Sequence, residues 1–69
     1  MDLASRLLKN ELADGQKARL TRIALDLRQV DVAVDARVSQ AQVSAFERGY
    51  AIPSKARLRI LGSLGIDAS

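Results

Sequence analysis

The chain has 69 residues, 48% of them hydrophobic and 28% charged, which is enough for one small globular domain and excludes a two-domain enzyme. Histidine and cysteine are both absent, and this excludes disulfides, Cys/His zinc sites and imidazole catalysis. The formal net charge of +3 arises in residues 37–69, where five basic and two acidic side chains indicate either a polyanionic partner or an ordinary solvated face.

The first part of the chain predicts two amphipathic helices. Leucines at positions 3, 7, 8 and 12 form one helical stripe, so we expect a helix over 2–13 that ends at Asp14-Gly15. A second helix is expected over 16–26. Its buried side should contain Leu20, Ile23, Ala24 and Leu27.

Three more helices are expected in the rest of the chain. Residues 28–36 contain alternating valines that would suit a strand, but a single strand would have no partner, so we interpret the segment as a helix. Ser39 is the expected N-cap of the next helix, which ends before Gly49. A proline and a serine open a last helix over 54–64, and Gly65 followed by an isoleucine is typical of a helix end.

The helix after Ser39 has one side made of small and polar residues. Val43 and Phe46 are expected to point inward, one helical turn apart. The opposite side consists of Gln40, Ala41, Ser44, Ala45 and Arg48. Alanines allow a helix to approach a DNA groove closely, glutamine binds adenine, and arginine binds guanine or a phosphate. A plain solvent-facing helix would have the same composition, so this pattern alone leaves both interpretations open.

The order of these residues resembles the Cro/CI-type helix-turn-helix regulators, the phage-repressor-like or XRE family. The resemblance covers residues 18–66 and rests on several residue types at fixed offsets, namely Leu27-Arg28-Gln29-Val30-Asp31-Val32-Ala33, Val38-Ser39-Gln40, Val43-Ser44, Glu47-Arg48-Gly49, Pro53-Ser54 and Leu64-Gly65. It implies a compact, all-α, lambda-repressor-like domain over 1–69, with the helix-turn-helix at about 29–48. With the N-terminal helix added, we expect five helices.

The resemblance also implies roles for individual residues. Bases of the major groove would be read by Gln40, Ala41, Ser44, Ala45 and Arg48. Phosphates would be bound by Arg28, Gln29, Ser39 and Lys55, with Arg37 as a further candidate. In lambdoid repressors the glutamines at the positions of Gln29 and Gln40 can also brace one another. Arg22 and Glu47 match a pair that ties the first family helix to the recognition helix, although an ordinary surface ion pair would contribute little.

Arg37 departs from the family pattern, because the turn position that it occupies is usually glycine. With φ above zero, arginine there costs about 1 kcal/mol relative to glycine. Either the turn has a different shape, or the strain is accepted and Arg37 reaches a phosphate.

We therefore expect a sequence-specific, double-stranded DNA-binding transcription regulator. By resemblance and size it would be a small autoregulatory repressor that binds an inverted repeat as a homodimer. The sequence indicates a cytoplasmic protein without a membrane span, enzyme activity, metal, cofactor or small-molecule ligand. The alternative is an antitoxin-like protein-interaction module whose N-terminal leucine helix binds a partner, with DNA binding secondary.

Overall fold

The computed structural model describes residues 12–67, and in this range the chain forms four helices and no strand. The helices are α1 (Asp14–Ala24), α2 (Gln29–Ala36), α3 (Gln40–Glu47) and α4 (Ser54–Ser63). The all-α prediction is confirmed, and the valine-rich segment is the helix α2. The expected count of five is not supported, because the helix predicted over 2–13 lies outside the described residues except for its last two positions, which are not helical.

The helix α1 begins where the sequence predicted a stop. Asp14 is its first residue and places a carboxylate in the first turn, where the helix dipole favours negative charge. The backbone N–H of Ala13 donates to Oε1 of Gln16 at 3.1 Å, which satisfies one polar group at this end. Gly15 is present for a different reason: a Cβ there would overlap the carbonyl oxygen of Phe46, on α3. The Asp14-Gly15 pair is therefore a helix start and a close contact between two helices.

The core is built from small and branched side chains of all four helices. Its members are Ala18, Val32, Ala33, Ala36, Val43, Phe46, Ile60, Leu61 and Leu64. Four half-buried residues pack against them: Leu27, Val38, Ile52 and Ile66. The predictions that Val43 and Phe46 point inward and that Ile66 packs at the end of α4 are confirmed.

The prediction of which residues of α1 are buried is largely wrong. Leu20 is 47% exposed and Ile23 50% exposed, and Ala24 is exposed as well. The side of α1 that faces the core carries Gly15 and Ala18 instead. These two residues allow the backbones of α1 and α3 to approach closely, which larger leucine and isoleucine side chains would prevent. Leu58 of α4 is exposed as well, because α4 packs against the core through Ile60 and Leu61.

All four helices end in the same hydrogen-bond pattern. After each last turn one residue adopts a positive φ: Asp26, Arg37, Gly49 and Gly65. The following N–H then donates to a carbonyl five residues back, as from Val38 to Ala33 at 3.0 Å and from Ile66 to Leu61 at 2.9 Å. Arg37 has φ 58° and ψ 46°, so the turn between α2 and α3 keeps the left-handed shape that normally favours glycine.

Candidate nucleic-acid interface

The helices α2 and α3, joined by Arg37–Ser39, form two consecutive eight-residue helices. Ser39 begins α3 with a reciprocal cap. Its Oγ accepts the N–H of Gln42 at 3.0 Å, and Oε1 of Gln42 accepts the N–H of Ser39 at 3.1 Å. The predicted N-cap is therefore confirmed. Because these bonds are local, Ser39 and Gln42 define where α3 starts, while the neighbouring Gln40 and Ala41 remain exposed.

The two sides of α3 differ in burial as the sequence predicted. Val43 and Phe46 are buried in the core. On the other side Gln40, Ala41 and Arg48 are exposed, and Ser44 and Ala45 are half-buried. The outer surface of α3 is therefore low in bulk near its middle and has longer polar side chains at its two ends. Such a shape suits insertion into a major groove, where bases are contacted by hydrogen bonds.

A buried carboxylate connects α1, α2 and α3. Glu47, at the end of α3, accepts hydrogen bonds from Nε of Arg22 at 2.7 Å and from Nη2 of Arg22 at 3.1 Å. Arg22 also donates from Nη1 to the carbonyl oxygen of Leu27 at 2.8 Å. The hydrogen bond to Glu47 is the main reason that the pKa of the Arg22 guanidinium is raised. The expected pair of Arg22 and Glu47 thus exists, and it holds α3 against the end of α1.

Gln29 joins the same network, which sequence reasoning missed. Its Nε2 donates to Oε1 of Glu47 at 3.2 Å. Among the described hydrogen bonds the partner of the Gln29 side chain is Glu47, and not Gln40 as the resemblance implied. An amide nitrogen carries two N–H groups, so one of them, like the backbone N–H at the start of α2, takes part in none of the described hydrogen bonds. The only sequence signal for this contact was the position of Gln29 at the start of a helix.

Arg28 lies immediately before α2 and binds the Asp31 carboxylate through its side chain and its backbone. Its Nε donates to Oδ2 of Asp31 at 3.1 Å, and its Nη2 donates to Oδ1 at 2.9 Å. The backbone N–H of Arg28 donates to the same carboxylate at 2.8 Å. The guanidinium bond, followed by the backbone bond, lowers the pKa of the Asp31 carboxyl. The Arg28 side chain is 79% exposed, and an exposed ion pair is weak enough to rearrange when a phosphate approaches.

Four of the five predicted phosphate-binding residues lie at the N-terminal ends of three helices. Arg28 and Gln29 lie at the start of α2, Ser39 at the start of α3, and Lys55 in the first turn of α4. Free backbone N–H groups at such ends attract anions. The fifth candidate, Arg37, is exposed in the turn between α2 and α3.

Two further arginines have side-chain contacts that the sequence did not indicate. Nη1 of Arg57 in α4 donates to Oδ2 of Asp14 in α1 at 2.7 Å. Arg48 lies over the ring of Tyr50, with its guanidinium carbon 5.3 Å from the ring centroid. The one sequence feature that could have suggested the second contact is the aromatic residue two positions after the arginine that ends α3. Within residues 12–67 no three His, Cys, Asp or Glu side chains cluster as metal ligands would.

None of the helices in residues 12–67 has the length and apolar character needed to cross a bilayer. The chain also matches a known protein family. The family model for helix-turn-helix proteins matches residues 19–63, which run from the middle of α1 to the last residue of α4. The match spans well over half of the chain. No curated protein and no solved structure matches the chain.

Proposed function

Because the chain belongs to the helix-turn-helix family of Cro/CI-type DNA-binding transcription regulators, we propose that it recognises one double-stranded DNA sequence as a homodimer and represses its own gene. The observation that most supports this proposal is the difference between the two sides of α3. Its inner side is buried in the core, its end is held through Glu47, and its outer side presents small and polar residues. A rigidly held helix with such an outer side suits base recognition in the major groove.

Base recognition is assigned to the outer residues of α3. Gln40, exposed near the start of the helix, would bind an adenine through its amide. Ala41 and Ala45 would contact thymine methyl groups, and the Ser44 hydroxyl would bind a base edge. Affinity that does not depend on sequence is assigned to the phosphate candidates Arg28, Gln29, Ser39, Arg37 and Lys55.

The proposal of a homodimer follows from the size of α3. Eight residues make a helix of about 12 Å, which spans only a few base pairs. One such helix gives too little contact for the specificity that a regulator needs. Two copies on half-sites one helical turn apart would double the contact, and a twofold dimer requires an inverted repeat.

A second candidate function is an antitoxin-like module that binds another protein. It is favoured by one observation, the half-exposed Leu20 and Ile23 on the outer side of α1. Apolar side chains of this size on a surface are typical of protein contacts when they form one patch. The leucines that first suggested this function, at positions 3, 7 and 8, lie outside the described residues.

The test is to select DNA from a random duplex library with the purified protein, and then to measure affinity for the selected site and for random duplex. We expect an inverted repeat to be enriched, and we expect it to occur upstream of the protein's own gene. Gln40→Ala should weaken binding to the selected site and leave binding to random duplex nearly unchanged. Arg28→Ala serves as the contrast and should weaken both to the same extent.

Enrichment of no sequence would overturn the proposal and leave the protein-interaction function. An equal loss on both DNAs for Gln40→Ala would remove Gln40 from the base-reading residues. If the enriched site does not occur upstream of the protein's own gene, only the proposal of autoregulation fails.

A further inference from the structure

Tyr50 is a large aromatic side chain that the core does not use. It is 63% exposed, although it follows α3 by only three residues. Its ring lies under the guanidinium of Arg48, with the guanidinium carbon 5.3 Å from the ring centroid. An arginine at this distance from an aromatic face is attracted by the ring's charge distribution. The contact therefore gives this exposed ring a specific partner at the end of α3.

The loop after α3 brings Tyr50 back to the helix that it has just left. Gly49 adopts φ 90°, and its N–H donates to the carbonyl oxygen of Phe46 at 3.1 Å. The N–H of Tyr50 then donates to the carbonyl oxygen of Ala45 at 2.9 Å. These two bonds close the helix end and fix the backbone from which the ring projects. The backbone position of Tyr50 is thus set by hydrogen bonds in which the Arg48 side chain takes no part.

Arg48 is held on a second side by its own helix. Its Nε donates to the carbonyl oxygen of Ser44 at 3.3 Å. A guanidinium has five N–H groups, and this bond uses one of them. Among the residues that the structure describes, the two Nη nitrogens of Arg48 have no hydrogen-bond partner, and the side chain is exposed. The charged end is therefore oriented and still available to a ligand.

We propose that Tyr50 is a positioning residue of the DNA interface, whose ring holds the Arg48 guanidinium with its Nη groups directed to a DNA phosphate. The inference rests on the proposed function. Arg48 lies about 12 Å along α3 from Gln40, at the C-terminal end of the helix, whereas in this docking geometry the N-terminal part of the recognition helix contacts base edges. A preoriented guanidinium at that end suits the phosphate backbone, because it loses less side-chain freedom on binding. The role we propose for Arg48 is therefore contact with a phosphate, in place of the base contact that the family resemblance implied.

The test uses the full chain and two duplexes, the site selected above and a random sequence. Tyr50→Leu keeps an apolar side chain and removes the ring, whereas Tyr50→Phe keeps the ring and removes the hydroxyl. Loss of an exposed cation–π contact should weaken binding about two- to fivefold for Tyr50→Leu, equally on both duplexes, while Tyr50→Phe should bind as the original protein does. In an Arg48→Ala background, Tyr50→Leu should have no further effect.

An independent readout needs no DNA. The Nε–H proton of Arg48 should be shielded by the ring in the original protein and in Tyr50→Phe, and should lose this shift in Tyr50→Leu. Thermal unfolding of each variant shows whether the fold is retained. The inference is overturned if Tyr50→Leu binds as the original protein does, if it acts equally without Arg48, or if the weakening occurs on the selected site alone. If the original protein binds neither duplex, the proposed function itself fails, and this outcome differs from each of the others.

Discussion

At the residue scale, Gly15 and Arg37 have identities that are unusual for their positions. Glycine lowers the stability of a helix, yet Gly15 lies in the first turn of α1. Arginine is strained at a positive φ, yet Arg37 has φ 58° in the turn before α3. Close packing against Phe46 accounts for the glycine, and a phosphate contact is what we propose for the arginine. Each explanation makes its own prediction about stability.

Arg37→Gly is expected to stabilise the fold by up to about 1.5 kcal/mol. The substitution relieves about 1–2 kcal/mol of left-handed strain and costs roughly 0.5–1 kcal/mol in added chain entropy. Urea unfolding measures the change. Arg59→Gly is the matched control, because Arg59 is exposed within α4, where the same replacement should destabilise by up to about 1 kcal/mol. A less stable Arg37→Gly would mean that the Arg37 side chain makes a stabilising contact in the folded protein.

Gly15→Ala is expected to destabilise the protein by about 1–3 kcal/mol. Alanine favours a helix, but its Cβ would overlap the Phe46 carbonyl oxygen, which is backbone and moves only with the end of α3. Gly62→Ala is the control. It lies one residue from the end of α4, and a Cβ there meets nothing within 4 Å, so it should be neutral or stabilising by up to about 1 kcal/mol. Thermal unfolding compares the two, and equal changes would show that the contact with Phe46 is not tight.

At the element scale, two of the ion pairs within residues 12–67 join helices, and they differ in how deeply they are buried. Glu47 shows only 3% of its side chain to solvent and binds α1 and α2 at once. Asp14 and Arg57 join α1 to α4, with 37% and 34% of their side chains exposed. A buried charge that loses its partner is costly, whereas an exposed pair is screened by water. The position of α3 therefore depends on the first pair far more than on the second.

Glu47→Ala is expected to lower the free energy of unfolding by about 3–5 kcal/mol, since it leaves the largely buried Arg22 guanidinium without its carboxylate. Arg57→Ala should cost under about 1 kcal/mol. Urea unfolding of both variants gives the comparison. Glu47→Gln keeps an acceptor for Arg22 and should fall between them. A small loss for Glu47→Ala would show that α3 is held by its apolar contacts alone.

At the scale of the whole molecule, the net charge of +3 matters less than the pairing of each charge. Two basic residues of α4 illustrate this. Arg57 forms an ion pair with Asp14, whereas Lys55, two positions earlier, is exposed. Residues two apart lie on different sides of a helix. A similar formal charge on the same helix therefore has different access to a phosphate.

Lys55→Ala is expected to reduce the dependence of DNA affinity on salt by about one unit of logarithmic slope, because one phosphate contact is lost. Arg57→Ala removes a charge of the same sign and should change the slope much less. Affinity for random duplex, measured over a range of salt concentrations, tests both variants. Equal changes in slope would indicate that only total charge matters and would remove Lys55 from the phosphate-binding residues.

Features that depend on near neighbours along the chain could be predicted from the amino-acid order alone. Ser39 as an N-cap, Gly65 followed by Ile66 at the end of α4, and the inward side of α3 all follow from hydrogen bonds or spacings within one helix. The family pattern belongs here as well, because it consists of residue types at fixed offsets.

Which residues meet across helices depends on how the helices pack, and this could not be predicted from local spacing. The apolar spacing of α1 indicated Leu20 and Ile23 as buried, but the side that carries Gly15 allows closer packing and is the one that faces α3. The bond between Gln29 and Glu47 joins residues that are 18 positions apart. The contact of Arg48 with Tyr50 is short in sequence but depends on the course of the loop. Local spacing measures how apolar a helix side is, whereas burial depends on how closely another helix can approach that side.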